Sequence, residues 1–366
     1  MSASAMEISV ETPDGKTLTL EVESGDSIDN VKQMISAATG ISKDDQYLYF
    51  SGKLLVDFAL SDYNVQKGSI LWLSENEIPE PTGTALTNKT ISEHMTLSGG
   101  AYYLDAIVQA GGYSVKSIEI SSSLTITGNV TLDLNGYVLK MTGAGSVIYV
   151  EPGATLTLTD SKPRAIHKFT PAANDLWVLD ETNGTEAVRG GVITGGTGTQ
   201  WDQYYRGGGV YVAPGGTLTM ESGSIVGCSA KGNGLSLGGG VYIDSSANST
   251  AGTFTMNGGS IIGCTADGGG GVLVALECHF TMNTGAVIRS CTAQMGGGVY
   301  CLGMSGSSGM FTLNGGTIQS CKALGRGGGG VSNSGEFLMQ NGSIKGCTSE
   351  KDSNASGGVL NSGQFT

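Results

Sequence analysis

The stretch GGGVYIDSSANSTAGTFTMNGGSIIGCTA, residues 238–266, decides the architecture of most of this chain. It holds three short runs, VYI, TFTM and SII, separated by glycine, asparagine and serine rather than by helix-forming segments. Apolar residues recurring at every second position mark strands, because successive side chains of a strand point to opposite faces. The same unit repeats on both sides. Its glycine start recurs at Gly207, Gly238, Gly269, Gly296, Gly328 and Gly357, and its cysteine end at Cys228, Cys264, Cys291, Cys321 and Cys347. The period wanders between 26 and 36 residues, with the surplus in the connecting loops.

Aligned on these glycines, the repeats form chemically uniform columns. Val210, Val241, Val272, Val299, Val331 and Val359 make one. Leu218, Phe254, Phe280, Phe311, Phe337 and Phe365 make a second, and Met220, Met256, Met282, Leu313 and Met339 lie two residues further on. Ile225, Ile261, Ile288, Ile318 and Ile344 make a fourth. Three strands per unit, each sending alternate side chains inward, describe one coil of a right-handed parallel β-helix. Like residues then stack at the strand spacing of about 4.8 Å. Each column cysteine follows its isoleucine by three residues, so a bend must separate them if both point inward. Asn257, Asn283 and Asn314 suit turns that need a positive φ. Residues 125–141 and 145–160 read as less regular coils, GGVITGG (190–196) reads as one more strand and turn, and the last unit stops partway through, at GGVLNSGQFT (357–366), which leaves an unpaired rung for further chain or another copy to cover. NVTLDLNGYVL (129–139), GATLTLTD (153–160) and the GGGV units together resemble the parallel β-helix repeat proteins of bacterial cell surfaces.

Residues 6–74 follow a different pattern. MEISVE (6–11) and KTLTLEVE (16–23) alternate around Thr12-Pro13-Asp14-Gly15, whose Asp-Gly ending favours a tight hairpin. Asp26 and Ser27 offer caps to a helix with an apolar face of Ile28, Val31, Met34 and Ile35, and Gly40 stops it. Strands at Tyr47–Phe50 and Ser69–Leu73 complete a β-grasp. GKTLTLEVE (15–23), DSIDNVK (26–32), TGIS (39–42), DDQYLYFSGKLL (44–55) and LSDYNVQKGS (60–69) resemble ubiquitin over nearly the whole domain. That resemblance implies acceptor-like lysines at Lys16, Lys32, Lys53 and Lys67, and a protein-docking patch at Pro13, Tyr49, Trp72 and Ser74. The basic tail with two terminal glycines, through which that family is conjugated, has no counterpart in Ser74-Glu75-Asn76-Glu77-Ile78-Pro79. The resemblance therefore implies an interaction module that is not conjugated, with ubiquitin-pathway partners disfavoured. The expected fold is thus mainly β: a ubiquitin-like α+β domain over 6–74, an acidic proline-containing linker over 75–98, and the β-helix over 99–366.

Charge narrows the partners. Of 366 residues 61 are glycine, without the three-residue period of collagen, and the formal net charge is −13. Such a chain repels phosphate backbones and anionic membranes, so no nucleic acid is expected as partner. No apolar run approaches the roughly 20 residues of a membrane span, and Met1–Ala5 has no features of a signal peptide. The surface-type repeats point to an extracellular or cell-surface location, and the missing signal to a cytoplasmic alternative.

No catalytic residue, metal centre or cofactor is expected. The cysteines lack the paired spacing of metal ligands and read as buried small hydrophobes. Acid-dependent glycan hydrolysis needs two carboxyl groups about 5–9 Å apart, and the acids of the regular coils fall in different columns. The irregular segment from 161 to 206 is the exception. Trp177, Trp201, Asp202, Tyr204, Tyr205 and Arg206 combine aromatic faces with charge, as a sugar-stacking site does; alternatively this segment folds over the coil and buries its rings. The expected function is a non-catalytic scaffold for glycan or protein ligands, the alternatives being a polysaccharide lyase or glycoside hydrolase and an intracellular ubiquitin-mimicking adaptor.

Overall fold

The structure, a computed structural model, describes residues 5–13, 16–50, 53–56, 58–75, 82–87, 90–105, 117–246, 250–350 and 355–366. The chain divides into two compact units, Met1–Glu80 and Pro81–Thr366. In the first, Met6–Glu11 pairs antiparallel with Thr17–Val22 and parallel with Ile70–Ser74, which pairs antiparallel with Tyr47–Phe50. Ser27 caps the helix Ile28–Thr39, its hydroxyl accepting from the Asn30 N–H at 3.2 Å, and Gly40 ends it in the left-handed conformation. Ile28, Val31 and Ile35 of the helix close a core with Ile8, Val10, Leu20, Leu48, Leu71 and Leu73. This is the ubiquitin-like β-grasp. Asp14 and Gly15 of its first turn lie outside the described residues, as do residues 76–81 of the expected linker. The remainder of that stretch is not all linker: Thr84–Leu86 already pairs in parallel with Tyr102–Leu104.

The second unit is a solenoid of parallel coils. The expected columns are in register: Val241 pairs with Val272, Phe254 with Phe280, Met256 with Met282 and Ile261 with Ile288. Four phenylalanine pairs from Phe254 to Phe365 stack at centroid distances of 4.8–5.0 Å, near the strand spacing, so each ring covers the next. Truncating one such fully buried ring to alanine costs about 3–5 kcal/mol. After each column cysteine a fourth short strand forms, as at Thr265–Gly268 and Thr292–Met295. The asparagines depart from expectation. Asn257, Asn283 and Asn314 keep negative φ, and positive φ is supplied at this turn by Gly259, Gly285 and Gly316. Their amides stack instead, Asn283 Nδ2 donating to Asn257 Oδ1 at 2.7 Å and Asn314 Nδ2 to Asn283 Oδ1 at 3.2 Å.

Two corners set the cross-section. At the GGGV corner a Cβ on the third glycine would sit 2.5–2.8 Å from the Cγ2 of the column isoleucine, as at Gly240 against Ile261 (2.7 Å) and Gly271 against Ile288 (2.8 Å). At the other corner, the residue before each column cysteine adopts positive φ: Gly227, Gly263, Ser290, Ser320 and Gly346. This is the required bend. It turns each thiol inward, where it donates to the carbonyl of the isoleucine one coil back, as from Cys264 to Ile225 at 3.8 Å and from Cys291 to Ile261 at 3.7 Å.

Residues 161–206 are two elements, not one. Ile166–Pro171, Trp177–Leu179 and Glu186–Arg189 form an antiparallel sheet that straps the outside of the third strands. Val192–Thr194 then resumes the regular coil, and a hairpin follows, Thr199–Trp201 against Tyr204–Arg206. Asp160 roots the strap: its carboxylate accepts from the Gly136 and Gly191 N–H groups at 2.7 and 2.8 Å. Buried His167 joins the Glu181 carboxylate at 2.6 Å to the Gly136 carbonyl at 2.9 Å. Phe169, Trp177 and Val188 pack onto Val138, Val192, Val226 and Ile262. The strap explains the choice at the cysteine corner. A Cβ on Gly227 would meet the Trp177 carbonyl at 1.7 Å, and one on Gly263 the Trp177 ring at 2.1 Å. Where Trp177 crosses, only glycine fits; beyond it serine is tolerated at the same φ.

Gly263→Ser is therefore expected to cost about 2–5 kcal/mol, from left-handed strain and steric overpacking together. Ser290→Gly should be neutral or up to about 1 kcal/mol stabilising, since strain relief is offset by unfolded-state entropy. Urea denaturation followed by circular dichroism measures both. The thiols give a second prediction. Burial pushes Cys278 and Cys301 up to about 12, and holds Cys264, Cys291 and Cys321 well above the usual thiol range. Thiols that ionise near pH 9 unfolded and near 12 folded remain protonated in the native state, so their contribution to stability is intact below pH 9 and lost as pH rises toward 12. Thiol titration with a chromogenic disulfide at pH 8 should label at most the half-buried Cys347 in native protein and all seven cysteines in denaturant.

Candidate functional site

The hairpin Thr199–Arg206 breaks the uniformity of the coil surface. It stands at the head of the fourth-strand sheet, with Tyr204–Arg206 paired in parallel to Leu235–Leu237 of the next coil. Its turn is made by Asp202, which takes a φ of 54°, a conformation short polar side chains tolerate better than most. Asp202 is thus placed as a turn residue, and its main-chain carbonyl accepts from Gln200 Nε2 at 3.3 Å.

Strand alternation sorts the remaining side chains onto two faces. Trp201, Tyr204 and Leu235 are direct cross-strand neighbours on one face. Trp201 is 62% exposed and Leu235 50%, so with half-buried Tyr204 they make a short apolar row. Gln200, Tyr205 and Ser236 alternate onto the other face. There Gln200 and Tyr205 line a cavity of about 420 Å³ that also includes Ser123, Gly145, Thr197, Lys231 and Asn233. That volume lies at the lower end of the range for small-ligand sites. Gly232 forms part of the wall because a Cβ there would sit 1.9 Å from the Tyr205 ring; its bare backbone lies against the ring. Thr197 Oγ1 accepts from the Gly145 N–H at 3.1 Å, tying the hairpin's root to the preceding coil.

The six residues expected at one ligand surface are therefore divided. Trp177 is a strap residue, 5% exposed because its ring faces the coil, with the Arg289 guanidinium 4.8 Å from that ring, and belongs to packing. Trp201 and Tyr205 sit on opposite faces of the hairpin. Arg206 is a pillar: its Nη1 donates to Asp244 Oδ2 at 2.8 Å, and its guanidinium lies 5.3 Å from the Tyr242 ring and 5.6 Å from the Tyr204 ring. Tyr211 donates to the same carboxylate at 2.6 Å. Burial works against the Arg206 charge, but Tyr242 and Asp244 outweigh it and hold the guanidinium pKa above its ordinary value. Burial, with Asp244 adding to it, pushes the Tyr211 and Tyr242 hydroxyls well above the ordinary phenol range. Sequence pattern missed Lys231, Asn233 and Ser123, which are distant from the aromatic cluster along the chain and join it only through coil stacking.

On the β-grasp domain, the expected patch lies partly together. Tyr49 and Trp72 are cross-strand neighbours on the sheet face opposite the helix, with Glu11 on the far side of Trp72. Tyr49 is 5% exposed and offers little surface. Pro13 is exposed in the turn after Met6–Glu11. Ile70, 45% exposed and on the same face as Trp72, was not expected; the alternation of buried Leu71 and Leu73 is the signal that places it there. Among the described residues no group of three or more histidines, cysteines or acids is placed to hold a metal ion.

Comparison with known proteins bears chiefly on the first domain, and one match extends over more residues than that domain contains. Residues 8–77 match the model of the ubiquitin family. The NEDD8-like protein RUB3 of Arabidopsis thaliana is 36% identical over 69 residues, which are 19% of this chain and 88% of that protein. The Large proline-rich protein bag6-A of Xenopus laevis is 28% identical over 152 residues, 41% of this chain. The match spans 13% of the frog protein's length.

Removing the carboxylate beneath the hairpin should expose its structural weight. Asp244→Ala leaves the half-buried Arg206 charge and the Tyr211 hydroxyl without their acceptor, and a loss of about 3–5 kcal/mol is expected. Differential scanning calorimetry of the variant against the parent reads it directly.

Proposed function

The chain belongs to the ubiquitin family through its first domain, residues 8–77, and we propose that it is a non-catalytic scaffold which binds glycan or protein ligands at the cell surface or after secretion. The β-grasp serves as a second, non-conjugated interaction module. The observation that carries the reading is the cavity beside the hairpin: an aromatic ring, Tyr205, set among hydroxyl and amide side chains at the point where an otherwise uniform coil surface is interrupted. Rings beside hydrogen-bonding groups suit sugars, whose faces are apolar and whose edges are hydroxyls. The cavity lining contains no carboxyl group, which favours binding over the paired-acid chemistry of a hydrolase. On the β-grasp, Ile70 and Trp72 give a partner an apolar surface bordered by Glu7 and Glu11.

A second reading, an adaptor in a reducing compartment, is favoured by the cysteines. All seven are free, six of them buried, a state that persists most readily where thiols are kept reduced.

A glycan array probed with the full chain tests the first reading. Binding without a released product is the expected outcome. Tyr205→Ala should weaken it by about tenfold or more, the contribution of one stacked ring with its hydrogen bonds. Trp201→Ala, on the opposite face, should leave glycan binding unchanged. Loss on Trp201→Ala alone would move the site to the apolar row.

A further inference from the structure

We propose that the cavity beside the hairpin selects a carboxylate-bearing sugar, an oligosaccharide containing a hexuronic acid; this rests on the glycan-binding reading above. The chain carries 32 acidic and 19 basic residues, yet among the eleven residues that line the cavity the one charged side chain is a cation, Lys231. Lys231 is exposed, and none of the ion pairs among the described residues takes up its ammonium group. It is held in place by its backbone, whose N–H donates to the Thr197 carbonyl at 2.9 Å. The other cation of this region, Arg206, is already bound to Asp244 and shares it with Tyr211. Asp202, the acid of the hairpin, sits at the turn and is not among the lining residues.

The lining thus separates three functions. Tyr205, backed by Gly232, offers a flat apolar face for a ring. Asn233 provides an amide for sugar hydroxyls, while Ser123, Thr197, Thr199 and Gln200, each already hydrogen-bonded within the protein, offer only their remaining donor or acceptor positions. Lys231 provides a single positive charge, enough for one carboxylate and poorly matched to a phosphate, which usually recruits several cations or a row of backbone N–H groups. A strongly acidic chain would repel a long polyanion, so one carboxylate at a time, in a short saccharide or at a chain end, is the form the cavity accepts.

The test uses the full chain and two ligands of the same sugar backbone, one with free carboxylates and one with those carboxyls as uncharged methyl esters. Titration calorimetry with tetragalacturonate and with its fully methyl-esterified form should show the acid binding about two- to fivefold more tightly, the contribution of one solvent-exposed ion pair. Lys231→Met should lower affinity for the acid to that for the ester and leave the ester unaffected. Raising salt should narrow the same gap, because the charge is exposed. Equal affinity for acid and ester, or an acid preference that survives Lys231→Met, overturns the carboxylate assignment while leaving a glycan site in place. No binding of either, together with no binding of neutral tetrasaccharides on the array, overturns the assignment by removing the glycan reading beneath it.

Discussion

The solenoid depends on one close approach, the contact between the column isoleucine and the bare third glycine of the GGGV corner. With Cβ-sized space absent there, the third strand can lie against the start of the first and the coil closes around a narrow interior. Everything stacked above inherits that geometry. The valine, phenylalanine and methionine columns fall into register because each coil is forced to the same cross-section, and the phenylalanine rings meet face to face at the strand spacing. A chain 14% charged can build so long a core because repeated backbone pairing, rather than a diverse set of side chains, defines its shape.

The β-grasp rests on a different economy. One amphipathic helix covers one mixed sheet, and its closure is local: Ser27 and Gly40 define the helix ends, and Ile28, Val31 and Ile35 fill the space between. The consequences for binding also differ. The β-grasp presents a sheet face with Trp72 and Ile70 at its middle strand, while the solenoid's regular faces are monotonous and are interrupted by the strap and by the hairpin Thr199–Arg206.

How much of this was legible follows from what each feature depends on. The columns and the inward bend before each cysteine could be read directly, since both follow from spacing within one repeat. The role of the asparagines could not. Their preference for left-handed turns is real, but a glycine two residues further on takes that conformation, and parallel stacking favours the amide ladder instead. Within 161–206 the strand was legible, since GGVITGG at 190–196 reads as one more strand and turn, and Val192–Thr194 forms there and rejoins the coil. What spacing did not show is the antiparallel strap before it, whose pairing is set by packing on the outside of the coil. Trp177 and Trp201 then acquire opposite fates, one sealed against Gly263 and the other left in solvent. Lys231 entered the cavity unannounced because stacking brings it beside a hairpin some 25 residues earlier in the chain.

In a simple solenoid each coil touches only its neighbours, so stability is a sum of local terms and the array can fray coil by coil. The strap changes that arithmetic. It leaves the chain at Asp160, packs on Val138, Val192, Val226 and Ile262, sets its Trp177 N–H on the Gly263 carbonyl and reaches Thr292 and Lys322 through Asp175. Coils that never touch are thereby bound to a single element. The coils from Val138 to Gly263 are coupled beyond nearest neighbours and should open more cooperatively than the coils beyond them, which the strap reaches through the Arg289 guanidinium over Trp177 and the exposed Asp175 carboxylate.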